Sequence, residues 1–336
     1  MTKRAKPLAV SLGDPAGIGP EVICEAWTRR GEEHLPPFFV VGGVGVLKAA
    51  AAQRGLKVPL AIIDHPALAL EAFPNALPVL GGPDSEYHPG EPDESGARLA
   101  LSSLEAAGAL VVSGEAGAIV TGPIAKSELA KVGFAFPGQT EFVAAASGVA
   151  ADDAVMMLAG PQLRTVPLTV HCALSEVSGR ISADLICRRA TIVDKALRQD
   201  FGIAAPRIAI CGLNPHAGES GRMGREEIEI IAPAIAALRA AGIEATGPHP
   251  ADALFTAHAR GSYDVAIAMY HDQALIPLKT LDFDQGVNVT LGLPIIRTSP
   301  DHGTAFGIAG TGAARPDAMI AAIRMAGEMA ERRSGQ

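Results

Sequence analysis

The sequence predicts an α/β fold with mostly parallel, doubly wound sheets. Three observations predict it. Apolar runs of strand length alternate with helix-length segments along the chain, the pattern of parallel strands joined through covering helices. Glycine is abundant, with 37 in 336 residues, and aromatics make up 4%, which suits helices packed closely on a sheet. Polar residues follow directly behind several apolar runs, at the carboxyl ends where open α/β sheets bind ligands. The length suggests about two domains.

The first strand is read at residues 8–12, followed by Gly13-Asp14-Pro15-Ala16-Gly17-Ile18-Gly19-Pro20-Glu21. Pro20 fits the first turn of a helix. The glycines allow backbone N–H groups to approach a ligand at that helix start; a plain glycine-rich turn is the alternative. The dinucleotide fingerprint fails here, because Val22 stands where the third glycine belongs. Strand 38–41 with Gly42-Gly43-Val44-Gly45 fails likewise at Lys48. Residues 58–63 read as a strand, and residues 74–92, rich in proline, glycine and acids, as a long surface loop. Residues 94–112 carry leucines at helical spacing. Strand 118–120 ends in Thr121-Gly122-Pro123 with Lys126 behind it, a candidate supporting residue.

A helix opens near Gln139-Thr140-Glu141-Phe142, with Thr140 a candidate cap. Strands follow at 154–158, 165–170 and 207–210, and a helix at 181–201. Residues 225–241 form an amphipathic helix with Ile228, Ile231, Ile235 and Leu238 inward. Residues 247–252, ending at Asp252, are a loop, and residues 316–333 a closing helix.

The chemistry is concentrated between Tyr270 and His302. The apolar run 265–269 delivers His271, Asp272 and Gln273 together at a strand end, and Lys279, Asn288 and Arg297 follow among apolar residues and glycines. Cations in such surroundings are tied to carboxylates for structure or held toward an anionic ligand; three polar groups behind a His-Asp pair favour the anion site. His171 and His216 also stand just beyond strands. Parallel strands bring such ends together, and three neutral imidazoles with an open position suit a catalytic divalent metal. A metal there would acidify a substrate hydroxyl.

The net charge of −8 has no basic block to compensate it, which argues against a nucleic-acid partner. Cys24, Cys172, Cys187 and Cys211 are scattered, without a C-x-x-C pair, as expected of reduced thiols in a cytoplasmic protein. A basic start runs straight into a strand, and no apolar run is long enough to span a bilayer.

In order and spacing, Gly13 to Glu21, Thr121-Gly122-Pro123, Thr140-Glu141-Phe142, Met156-Met157-Leu158-Ala159, Gly212 to Glu219, Pro250-Ala251-Asp252, Met269 to Gln273 and Asp301-His302-Gly303-Thr304-Ala305 resemble the 4-hydroxythreonine-4-phosphate dehydrogenase family of vitamin B6 biosynthesis. The resemblance covers nearly the whole chain. It implies a two-domain fold like the isocitrate and isopropylmalate dehydrogenases, which bind NAD without the usual fingerprint. The expected domains are 1–135 plus 290–336, and 136–289, the latter carrying the metal ligands and a homodimer interface.

The resemblance further implies oxidation of the 3-hydroxyl of 4-phosphooxy-threonine with NAD or NADP, then decarboxylation, at an active site on the subunit interface. One divalent ion (Zn, Mg, Co or Mn) falls on His171, His216 and His271. Substrate contacts fall on Thr140, Lys279, Asn288 and Arg297, with Gln139 beside them as a further substrate-binding residue, and the cofactor lies against His302, Gly303, Thr304 and Gly310. Many members have histidine before the threonine of Thr-Glu-Phe, whereas this chain has Gln139, which hydrogen-bonds but cannot carry a proton. Sister enzymes of this fold act on phosphorylated sugar acids or cyclic dihydrodiol acids. A metal hydrolase or acyl-phosphate transferase, with Asp252 or Asp272 poised on a metal water, is the alternative of another class.

Overall fold

The computed structural model describes residues 6–335; the opening residues 1–5, part of the basic start, lie outside them. The strands are β1 Leu8–Ser11, β2 Phe38–Val41, β3 Leu60–Ile63, β4 Leu77–Leu80, β5 Ile119–Thr121, β6 Val155–Ala159, β7 Arg164–Thr169, β8 Ile208–Cys211, β9 Ala245–His249, β10 Val265–Tyr270, β11 Val287–Leu291 and β12 Arg297–Pro300. The chain divides into two compact units, one running through Ala151 and resuming at Leu293, the other Asp152–Gly292.

In the first unit the strand order is β3-β4-β2-β1-β5-β12, and every pair is parallel. Its core packs Ala9, Phe39 and Ile119 of the sheet against Leu104 and Leu129 of the covering helices. In the second unit the order is β11-β6-β7-β10-β8-β9. Here β10 lies parallel to β7 and β8, and β8 parallel to β9, while β6 is antiparallel to β7 and β11. Leu158, Ala209, Ala266, Ala268 and Leu278 lie in its core. The α/β class with mostly parallel sheets is therefore as expected.

The unit boundary differs from the sequence reading. Residues 136–151 belong to the first unit, because Phe142 packs on Phe134 and Phe136 at centroid distances of 5.9 and 5.5 Å and lies over Gly108 of the helix Glu94–Val112. Residues 290–292 fall in the second unit, where β11 pairs along its length with β6.

Two strands were read as loop. β4 lies within the supposed long loop and sits between β3 and β2. Its Leu-Pro-Val-Leu is too short for a periodicity, and its proline argues against an interior strand. β9 is an edge strand containing glycine and proline, positions where a lost ladder donor is tolerated.

The helix expected from 225 begins with a π-turn, Glu227–Ile231, before the α-helix Ala232–Ala240. The wider turn changes which residues face inward. Ile228 is 45% exposed, whereas Glu227 is buried. Thr140 is not a cap: Gly138 holds the cap position of the helix Gln139–Ala146, and Thr140 lies in its first turn. Lys279 lies on the helix His271–Asp282.

The C-terminal segment of the first unit is tied down by buried charge. Glu21 accepts from the Gly310 N–H (3.0 Å) and from Arg54 Nη1 (3.0 Å), and Arg54 also engages Glu25 and the Ala314 carbonyl. All four cysteines are free thiols. Among the described residues no helix is long and apolar enough to cross a membrane.

Candidate active site

In the second unit, β7 and β10 are parallel neighbours; His271 follows β10 directly and His171 follows β7 after one intervening residue. The two rings lie 6.2 Å apart between centroids. They border a cavity of about 300 Å³, with Thr169, Cys172, Tyr270 and Asp272 in its wall. His271 Nδ1 and Asp272 Oδ1 are 2.7 Å apart. A carboxylate there holds the proton on Nδ1 and directs the Nε2 lone pair outward, the arrangement a ligating histidine needs.

Two imidazoles on one tetrahedral ion have centroids about 5 Å apart, so the pair fits a shared cation in donor chemistry and is roughly an ångström wide of it. The third expected ligand does not join them. Among the described residues no three His, Cys, Asp or Glu side chains form a set able to hold a metal. Asp252 lies on the short helix Ala251–Leu254 and is exposed.

His216 sits in an unusual backbone. His216, Ala217, Gly218, Glu219 and Ser220 all have positive φ, between 42° and 76°. Left-handed geometry costs about 1–2 kcal/mol per non-glycine residue, so four such residues need compensation. Glu227 supplies it. One carboxylate oxygen accepts from the Leu213 and Asn214 N–H groups, both at 2.8 Å, and the other from Asn214 Nδ2 at 3.0 Å. Gln273 adds a brace, accepting from Met269 N (2.7 Å) and donating to the Gly212 carbonyl (2.8 Å). Glu227 escaped sequence reading because its partners lie 13 and 14 residues back, at no helical or strand period.

His249 lies on the neighbouring edge strand, where its Nε2 meets Thr246 Oγ1 at 2.9 Å. Burial, then the Arg239 cation, hold its pKa below the ordinary histidine value. On β11 of the same unit, the buried Asn288 Oδ1 has no hydrogen-bond partner among the described residues. A buried carbonyl oxygen without a donor is costly, which makes this atom an acceptor available to a ligand. Lys279 is half-buried on its helix.

In the first unit Arg297 opens β12 and is 3% exposed. Burial pushes its pKa down to about 10, against the opposing effect of Glu141. Its Nη2 donates to Thr121 Oγ1 (2.8 Å) and Gln139 Oε1 (3.1 Å). Thr121 and Glu141 were not among the sequence candidates; both stand in the quoted motifs, but their relation to Arg297 is not local. Lys126 is exposed and comes close to Gly138, as does the Glu141 carboxylate.

The glycine turn after β1 is no anion cradle. Ala16 N donates to Asp14 Oδ1, Gly17 N to the Asp14 carbonyl and Ile18 N to the Thr304 carbonyl. A Cβ on Gly17 would lie 2.8 Å from Thr304 O, and one on Gly19 would lie 2.7 Å from Leu12 O. The glycines serve close packing. Thr304 is therefore fixed against the turn, and Gly310 (φ +73°) is fixed by Glu21 and by Gln53, which donates to its carbonyl. His302 Nδ1 is 3.0 Å from Gly303 O, its buried Nε2 lacks a partner among the described residues, and the space over Gly303 is open.

Asp14 in that turn is 1% exposed. Burial raises its pKa above the usual carboxylate range, with smaller contributions from Glu128 and Asp93 against the Ala16 N–H. A raised folded-state pKa favours the protonated form. Its stabilising contribution is complete below the unfolded value of 3.8 and is lost as pH rises through the folded value. Asp14→Asn is accordingly expected to melt higher than wild type at pH 8, with the gap closing as pH is lowered, in a thermal melt series.

Known proteins resemble this chain over nearly its whole length. The family model described as pyridoxal phosphate biosynthetic protein PdxA matches residues 34–326. A 4-hydroxythreonine-4-phosphate dehydrogenase of Erythrobacter litoralis is 61% identical over 334 residues, covering 99% of both chains. The crystal structure of a 4-hydroxythreonine-4-phosphate dehydrogenase from Klebsiella pneumoniae matches with a TM-score of 0.86 at 40% identity, covering 98% of this chain and 100% of that one. A terephthalate 1,2-cis-dihydrodiol dehydrogenase from Burkholderia xenovorans matches at TM-score 0.65 and 30% identity, covering 97% and 98%. With a family model spanning most of its length and relatives this similar from end to end, the chain belongs to the PdxA family of pyridoxal phosphate biosynthetic proteins.

Proposed function

We propose that the chain oxidises the 3-hydroxyl of 4-phosphooxy-L-threonine with NAD or NADP and releases carbon dioxide, giving 3-amino-2-oxopropyl phosphate. The observation that carries this reading is the end-to-end identity of 61% with a relative named for that substrate. The oxidation sends the C3 hydrogen as hydride to the nicotinamide and the hydroxyl proton to a base. The product is a β-keto acid, whose carboxylate leaves as carbon dioxide once electrons can be drawn onto the ketone oxygen.

A divalent cation (Zn, Mg, Co or Mn), when bound, supplies Lewis acidity to the hydroxyl and ketone oxygens. His171 and His271 are the residues proposed to hold it, with Asp272 orienting His271. His216 remains a proposed ligand. The homodimer offers a second copy of every donor, which is how a set that one chain leaves open would be completed. Arg297 and Lys279 are proposed for the substrate's phosphate and carboxylate, as charge-assisted donors. Thr140 and Asn288 are proposed as neutral contacts, with Asn288 Oδ1 suited to the substrate ammonium. His302, Gly303, Thr304 and Gly310 are proposed against the cofactor, and Lys126 as an accessory cation. The setting is a cytoplasmic homodimer without nucleic-acid or membrane partners.

Turnover of 4-phosphooxy-threonine with NAD, followed by NADH absorbance, is expected to vanish on chelation and return on metal re-addition. Unchanged turnover after complete metal removal would reject the metal role. A second reading, a cyclic dihydrodiol acid as substrate, is favoured by the Burkholderia xenovorans match but at lower identity and TM-score. Higher kcat/KM on such a diol than on 4-phosphooxy-threonine would establish it instead.

A further inference from the structure

Gln139 stands directly before Thr140-Glu141-Phe142, and the hydrogen bonds around it have one consistent solution. A guanidinium donates and never accepts, and a backbone carbonyl accepts and never donates. Arg297 Nη2 therefore faces the amide oxygen of Gln139 (3.1 Å), and the amide nitrogen faces the Gly122 carbonyl (2.9 Å). Thr121 Oγ1 accepts from Arg297 Nη2 (2.8 Å), so its own proton goes to Gln139 Oε1 (3.1 Å). Both lone pairs of that oxygen are engaged by the protein. Among the described residues one N–H of the amide is left over, and no atom of the side chain can take a proton from a substrate.

We propose that Gln139 is a positioning residue which, with Thr121, fixes the direction of the Arg297 guanidinium, and that it takes no part in proton transfer. The inference rests on the reading that Arg297 grips the substrate's anionic group. It assigns the amide a reason to be neutral. Glutamate there would place an anion against Arg297 and compete with the substrate. A histidine would reproduce the acceptor and donor of the amide in its neutral form, but as imidazolium it would turn an N–H toward the guanidinium. Charged groups around this position include Arg297, Glu141 and Lys126.

The test is steady-state kinetics of Gln139→Ala, Gln139→Glu and Gln139→His across pH 6 to 9, with Arg297→Met alongside. Gln139→Ala is expected to raise the KM for 4-phosphooxy-threonine by about ten- to a hundredfold, as expected for one or two lost hydrogen bonds to a charged group. Its kcat should stay within a few-fold of wild type. Gln139→Glu should raise KM at least as far. Gln139→His should match wild type near pH 8.5 and lose affinity as pH falls through roughly 6.5 or below. That loss is reversible within one sample, so general instability cannot produce it. A collapse of kcat at constant KM in Gln139→Ala would overturn the proposal by placing the amide in the chemical step, and so would a KM within twofold of wild type. If Arg297→Met itself leaves KM unchanged, the reading of Arg297 fails instead.

Discussion

Arg297→Met is expected to reduce kcat/KM for 4-phosphooxy-threonine by about 30- to 5,000-fold, through KM, while the melting temperature holds or rises. The first half follows from the loss of a desolvated cation opposite an anion, an interaction whose truncation costs about 2–5 kcal/mol. The second half follows from burial. At 3% exposure, with a pKa pushed down to about 10, the guanidinium is held at a desolvation penalty. An apolar side chain of like length removes the cost of keeping that charge out of water. The Thr121–Gln139 hydrogen bond survives the change. Differential scanning calorimetry and kinetics on the same preparation separate the outcomes. A steep fall in melting temperature with affinity retained would make Arg297 a structural cation and remove it from the substrate site.

Glu227→Ala is expected to produce the largest loss of stability of any single change considered, about 3–5 kcal/mol, because two backbone N–H groups and the Asn214 amide lose their acceptor at about 1–3 kcal/mol each. The left-handed run from His216 to Ser220 contains four non-glycine residues, a strain of about 4–8 kcal/mol. The three hydrogen bonds to the Glu227 carboxylate offset it by about 5–9 kcal/mol, at 1.5–3 kcal/mol each. With alanine, two backbone N–H groups lose their acceptor and the segment relaxes toward ordinary dihedrals. The melting temperature should drop by roughly 6–20 °C, and amide exchange should quicken across residues 212–221. Since His216 rides on this segment, turnover should fall further than the folded fraction accounts for. Slow exchange in the variant would show that the run holds itself without the carboxylate.

Much of the candidate site was legible because its residues stand at strand ends. His171 and His271 could be read beside each other once parallel strands were inferred, and the order of the motifs identified the family. Other parts were illegible for definite reasons. Ile228 was placed inward on an α-period that a π-turn breaks, and Glu227 took the buried position. The glycines of the first turn matched an anion cradle in composition, yet Ala16, Gly17 and Ile18 direct their donors to Asp14 and Thr304. β4 was missed because a four-residue strand containing proline has no period to detect.

The order of apolar runs and polar strand ends determined the α/β class, the mostly parallel sheets and the family, since each of these is written in local periodicity and motif spacing. The tertiary structure decided which atoms meet. Arg297 reaches Gln139 across 158 residues and Thr121 across 176, and among the described residues no three His, Cys, Asp or Glu side chains gather into a set able to hold a metal. Local pattern reports whether a side chain is buried, but its partner depends on strand order and on the direction in which each side chain leaves the backbone, and these are settled when the sheet assembles.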